Sequence, residues 1–148
     1  MGKYQADKVH TRVDYVRYIY KNTDLFPNNF ENFQFPVAVY SRDGEIAEAN
    51  KYFRDIAGIA SGDIRHEKVN IFDCLNKKSA GLIEAARNAF GGGESVYEGM
   101  RPLCAEPGTP AYKLIAKLPN AIFFPMACDC EKVTLAAILL DSKETDND

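Results

Sequence analysis

Residues 35–58 constrain this chain more than any other stretch. Val37-Ala38-Val39-Tyr40 is a short apolar run, Arg42-Asp43-Gly44 interrupts it, and Glu45-Ile46-Ala47-Glu48-Ala49 resumes it. An Asp-Gly pair between two such runs predicts a hairpin, because glycine adopts the positive φ that a tight turn demands. Asn50 then precedes a segment in which Phe53, Ile56 and Ala57 share one helical face. Its side-chain oxygen is placed to accept an amide of the first helical turn. Gly58 is placed to end that helix in the left-handed conformation. The stretch therefore predicts strand, turn, strand and capped helix, in that order.

The chain around it is 148 residues long, enough for one domain with a substantial core and too short for two ordinary ones. Apolar residues at 46% and charged residues at 26% give the balance of a globular protein rather than a disordered one. The net charge is -3, and Lys and Arg are scattered, so direct nucleic-acid binding is not expected. No apolar run reaches the roughly 20 residues of a membrane span. The start, Met1-Gly2-Lys3-Tyr4-Gln5-Ala6-Asp7, has no apolar signal-peptide core, and Ala6 stands where a myristoylation motif needs Ser or Thr. A cytoplasmic location is expected, with Cys74, Cys104, Cys128 and Cys130 reduced there.

Along the chain, Val9, Val13, Val16 and Tyr20 recur at helical spacing with Ile19 beside them, which predicts an amphipathic helix over 7–21. The Asp, Pro and Asn cluster at 22–29 breaks that pattern. Residues 1–29 thus read as a helix and linker, 30–141 as the main domain, and 142–148 as an acidic tail or linker. A short helical turn is expected at 61–67. Asn70-Ile71-Phe72-Asp73-Cys74-Leu75 leads into a longer helix ending near Phe90, striped by Leu82, Ile83, Ala86 and Phe90. Gly91-Gly92-Gly93 stops it. That glycine run follows a helix and has no downstream Lys-Ser/Thr, so it reads as a C-cap and not a phosphate loop. Strands are expected at 95–103, where Gly99 and Pro102 weaken the pattern, and at 111–118, where Tyr112, Leu114, Ala116 and Leu118 face one way with Lys113 and Lys117 on the other face. A further strand is expected at 121–127. The almost unbroken apolar run at 133–140 predicts a strand covered on both faces and central in its sheet.

The segment from Pro36 through the hairpin and Asn50 to Phe53 resembles the opening of a PAS domain, and the resemblance extends over about residues 30–141. It implies an α+β fold, a five-stranded antiparallel sheet with helices on one face and the last strand beside the first, here with an N-terminal helical extension. It also implies a sensory module of a signalling or transcriptional regulator, relaying its state to an output domain. PAS folds that bind small molecules hold them between the inner sheet face and the helices. By position the candidate lining is Val37, Val39, Phe53, Ile71, Phe72, Leu82, Ile83, Phe90, Tyr112, Leu114 and Ile138. The plain alternative is that these side chains only fill a core. Tyr40, Tyr97 and Tyr112 are the candidate polar handles. The ligand or cofactor is left unnamed. The apolar stripe of the N-terminal helix has two destinations, the outer face of its own sheet or the same helix of a second chain. The second, a homodimer through this helix, is the expectation adopted.

Other chemistries fit less well. A LOV-type flavin photosensor carries its reactive cysteine directly after an asparagine, whereas here Cys74 is displaced from Asn70 and the neighbouring Arg and Gln are missing. A haem ligand on the long helix is not expected, since residues 76–90 contain no histidine. His10 and His66 are expected to face solvent. Cys128-Asp129-Cys130 is a weak metal signal without a Cys-x-x-Cys, so no metal site and no catalytic residue is assigned. Two alternatives to the ligand sensor stay open. One is a ligand-free dimerisation or interaction domain. The other is a small α+β enzyme, which needs clustered ionisable groups in a cleft.

Overall fold

A computed structural model describes residues 6–59, 69–76, 81–98, 102–104 and 107–141. The hairpin forms as its sequence predicts, with β1 at Val37–Ser41 and β2 at Ile46–Ala49. Gly44 sits in the turn at φ +88°. A side chain is excluded there by space as well as by dihedral angle: a Cβ would stand 2.5 Å from both Asn70 Oδ1 and the Phe72 ring.

Asn50 organises the junction between the hairpin and the first covering helix. Its Oδ1 accepts from Phe53 N at 3.0 Å, capping α3 at Lys51–Ala57, and also from Val37 N at 3.1 Å. Its Nδ2 donates to the carbonyls of Phe33 at 3.1 Å and Phe35 at 2.9 Å. This one fully buried amide thereby joins the entry to β1, the end of the hairpin and the start of α3, with all its hydrogen-bonding capacity in use. Gly58 ends α3 in the left-handed region at φ +72°, as expected.

The five strands are completed by β3 at Ser95–Tyr97, β4 at Asn120–Asp129 and β5 at Lys132–Asp141, in the spatial order β2-β1-β5-β4-β3. Every pairing is antiparallel. The apolar run at 133–140 lies in the middle of the sheet, paired with β1 on one side and β4 on the other, because only there are both of its faces covered. Pro125 is tolerated within β4 because β3 pairs only with residues 121–123, which leaves the proline beyond the ladder and next to a register shift. The β4–β5 loop is a two-residue turn in which Cys130 and Glu131 both take positive φ, +50° and +67°.

One sheet face is covered by α3, by α4 at Ile71–Cys74, by α5 at Leu82–Asn88 with its 3-10 extension Ala89–Gly91, and by α6 at Pro110–Ala116. The strand expected at 111–118 does not form. In its place stands α6, whose N-cap Thr109 accepts from Tyr112 N at 3.2 Å and whose first turn carries Pro110. A threonine and proline at these positions start a helix. The alternation of Tyr112, Leu114 and Ala116 is coincidental: Ile115 is the residue α6 buries, and Leu114 is exposed. Of the strand expected at 95–103, residues 95–97 form β3. Leu103 makes an isolated bridge to Leu75, and 99–101 lie outside the described residues. The turn expected at 61–67 and the tail at 142–148 lie outside them as well.

The opposite face is covered by the N-terminal helices, α1 at Ala6–Lys21 and α2 at Phe26–Glu31. Helix α2 falls where only a break was expected; its proline occupies the first turn, where a missing N–H costs nothing. Val13, Val16 and Ile19 of α1 are fully buried against Ile122, Phe124, Met126, Ala137 and Leu139. The stripe is therefore spent on its own sheet, the other of the two expected destinations. At about 1.5 to 3 kcal/mol per buried side chain, these three contribute on the order of 5 to 9 kcal/mol before entropy, enough to hold a helix that would be marginal alone. Polar contacts fix its register. Arg12 pairs with the buried carboxylate of Asp141 and lies 4.2 Å over the Phe35 ring, and Arg17 donates to Pro125 O at 3.2 Å. Arg54 joins α3 to α2 through a two-pronged contact with Glu31 at 2.8 and 2.6 Å. That contact, chiefly its hydrogen bonds, holds the Glu31 carboxyl below its ordinary pKa.

Candidate functional site

The helix-facing side of the sheet is the candidate site. Strand alternation assigns its lining: Ala38 and Tyr40 from β1, Ala136, Ile138 and Leu140 from β5, and Ala121 and Phe123 from β4. Ser95 and Tyr97 of β3 stand directly opposite Phe123 and Ala121 and so share this face. From the helical layer come Phe53 and Ile56 of α3, Ile71 of α4, Leu82 and Ala86 of α5, Phe90, and Ile115 of α6.

Tyr40 is the largest polar side chain in this interior. Its hydroxyl donates to Ala86 O at 2.7 Å, and its ring meets Phe90 edge-on with centroids 5.7 Å apart. Burial raises its pKa, since the phenolate would have to shed its hydration. Arg42 closes one end of the site. It donates to Val133 O at 3.1 Å and lies 5.1 Å over the Phe90 ring. Phe72 and Arg87 form another edge, with the guanidinium 4.9 Å over the ring. Among the described residues, one polar atom stands out against this satisfied background. Ser95 Oγ is buried with no hydrogen-bond partner. An orphaned hydroxyl in an apolar setting costs about 1 to 3 kcal/mol, so it is not a neutral detail.

The positions proposed from sequence divide three ways. Phe53, Ile71, Leu82, Phe90 and Ile138 are buried on the helix-facing side, and Phe72 and Ile83 are partly buried against the same cluster. Val37 and Val39 are not in that space. They point to the opposite face and pack in the cluster that α1 covers, because the strand alternation that turns Tyr40 inward turns them outward. Tyr112 and Leu114 belong to a helix instead of a strand, Tyr112 half-buried and Leu114 exposed. Of the three tyrosine handles, Tyr40 spends its hydroxyl on the backbone and Tyr97 stands on the inner face beside Ser95. Ser95, Phe123 and Ile115 were not anticipated. The shared parity of Ser95 and Tyr97 was the available signal for the first.

Cys128 and Cys130 are exposed at the β4–β5 turn, whereas Cys74 and Cys104 lie beside the Leu75–Leu103 bridge. Among the described residues, no group of three or more His, Cys, Asp or Glu is arranged to hold a metal ion. His66 and the side chain of His10 lie outside the described residues. Among the described residues no helix is long and apolar enough to cross a membrane.

Comparison with solved structures identifies the fold. The PAS domain of an HTR-like protein from Haloarcula marismortui superposes with a TM-score of 0.56, at 14% identity, over 92% of this chain and 98% of that one. A sensory box sensor histidine kinase from Vibrio cholerae gives 0.55 at 13% identity, over 86% and 97%. A domain of a putative light and redox sensing histidine kinase, also from Haloarcula marismortui, gives 0.50 at 13% identity, over 77% and 93%. This chain has the PAS fold. No protein-family model matches the sequence, and none of the curated proteins matches it.

Proposed function

We propose that this chain is a PAS-type sensory module that binds a small ligand on the helix-facing side of its sheet and relays its occupancy to an output domain. The observation that carries the ligand reading is Ser95 Oγ, a buried hydroxyl without a partner on the face where an apolar pocket would form. A mainly apolar ligand with one polar group is the chemistry that such a lining serves. Output coupling is supported by likeness to domains described as parts of sensor histidine kinases. Division into an N-terminal helical segment at 1–29, a sensory domain at 30–141 and a linker beyond belongs to the same proposal, as does a cytoplasmic, non-enzymatic role.

The signal route runs through α1. Its Arg12 pairs with Asp141 at the end of β5, so a ligand that shifts the central strand shifts the docking of the N-terminal helix. The shift is limited by the ligand's difference in affinity for the two packings. A homodimer through α1 uses the outward side of the helix, where Tyr15 and Tyr18 are exposed, because the apolar stripe is already buried.

Native mass spectrometry of the purified chain against its denatured mass tests the reading. A non-covalent mass that is lost on denaturation, and reduced in Ser95→Val, is the expected result. Bare chains, still bare after incubation with a small-molecule extract, would overturn the ligand reading and favour an interaction domain with a filled core.

A further inference from the structure

Cys74 and Cys104 lie far apart in sequence and are backbone neighbours in the fold. The bridge between Leu75 and Leu103 is antiparallel, which sets the residue before Leu75 against the residue after Leu103. The backbone bonds fix that register: Asn76 N donates to Pro102 O at 2.9 Å and Cys104 N donates to Cys74 O at 2.9 Å. The Cys104 thiol donates to Leu75 O at 3.1 Å, which places its sulfur beside the Leu75–Asn76 peptide, one peptide beyond Cys74. A backbone N–H···O=C bond between two residues so paired holds their Cα atoms on the order of 5.5 Å apart. A disulfide requires about 4.4 to 6.8 Å. Both leucines of the bridge are fully buried, so the juxtaposition is anchored from beneath.

We propose that Cys74 and Cys104 are a peroxide-responsive thiol pair that closes to an intramolecular disulfide. The two thiols differ in ways that assign their parts. Cys104 is exposed and meets the oxidant first, while Cys74 is partly buried. Desolvation, with smaller contributions from Asp73 and Cys104, pushes the Cys74 thiol up to about 11, so it waits as a neutral thiol. In the first step the Cys104 sulfur attacks the O–O bond of hydrogen peroxide, giving a sulfenic acid and one water. In the second, Cys74 sulfur attacks the sulfenic sulfur, the S–OH bond breaks, and the hydroxyl leaves with the Cys74 proton as a second water. Two electrons pass from the thiols to the peroxide, and the products are one disulfide and two waters. The bond would tie α4 to the segment at 102–104. Because Asn70, the cap of α4, also donates to Asp43 O at 2.9 Å in the β1–β2 turn, the oxidised pair would stiffen the helical cover of the inner face.

The test uses the full chain carrying Cys128→Ser and Cys130→Ser, reduced and then treated with one equivalent of hydrogen peroxide. Blocking with a maleimide and digestion without reductant should yield a peptide of Cys74 linked to Cys104. The intact mass should fall by about 2 Da, and added dithiothreitol should restore it. With Cys74→Ser added, the reaction should stop at a dimedone-reactive sulfenic acid on Cys104. The proposal is overturned if both thiols of the Cys128/Cys130-free chain are still alkylated after peroxide. A sulfenic acid persisting on Cys104 while Cys74 stays free overturns it too, as do disulfides formed only between chains. This result is independent of whether a ligand occupies the inner face.

Discussion

Replacing Asn50 with alanine tests the reasoning about the hairpin and helix most directly. The side chain makes four hydrogen bonds from a fully buried position: it accepts from Val37 N and Phe53 N and donates to Phe33 O and Phe35 O. Loss of the N-cap alone costs about 1 kcal/mol. The substitution also strands Val37 N and the two carbonyls, each at about 1 to 3 kcal/mol unless water enters. These terms sum to about 4 to 10 kcal/mol, and with water reaching some of the stranded groups the expected loss is at the lower end, about 4 to 5 kcal/mol, a large share of the roughly 5 to 15 kcal/mol that holds a domain together. Urea unfolding followed by circular dichroism reads it as a fall in midpoint at unchanged slope. Asn50→Asp separates the two halves of the role. It keeps both acceptor functions and turns a carboxylate oxygen toward two carbonyls, so it should also destabilise at neutral pH and recover partly in acid, where a protonated oxygen can donate. A loss near 1 kcal/mol in Asn50→Ala, or wild-type stability in Asn50→Asp, would refute the claim that the amide ties three segments and leave it a simple cap.

Three other outcomes rest on local geometry. Gly44→Ala meets both a positive φ and atoms 2.5 Å from the new Cβ, so it should cost more than the roughly 1 kcal/mol of a strained dihedral alone and lower the melting temperature. Glu131→Gly relieves a left-handed residue in the β4–β5 turn and should stabilise by about 0.5 to 1 kcal/mol, seen as a rise of a few degrees in thermal unfolding. The raised pKa of Cys74, about 11 against an ordinary 9.0, means that its stabilising contribution is complete below about pH 9 and lost as pH climbs through 11. Unfolding curves between those values should show about 2 kcal/mol of decline that Cys74→Ala lacks; equal slopes in the two proteins would contradict the burial argument.

Local chemistry accounts for much of what was legible in the chain. Gly44, Asn50 and Gly58 punctuate the hairpin and first helix because their roles depend on dihedral angles and hydrogen bonds within a few residues. The apolar run at 133–140, broken only by Thr134, announced a central strand because it leaves almost no polar face to turn toward solvent. Helix α6 shows where pattern counting failed: alternation over seven residues suits either period, and the Thr109-Pro110 start signal outweighed it. The site was harder. Alternation in β1 separates Val37 and Val39 from Ala38 and Tyr40, but nothing within the strand says which side the helices will cover. The same holds for the stripe on α1, which needs a cover that its own sequence does not specify, and for Cys74 and Cys104, brought together by the bridge at Leu75 and Leu103. Turns, caps and most of the order of elements were written into the chain, since these rest on near neighbours. Which face becomes the interior was settled only when the whole chain packed, because that depends on how separate elements share the burial of apolar surface.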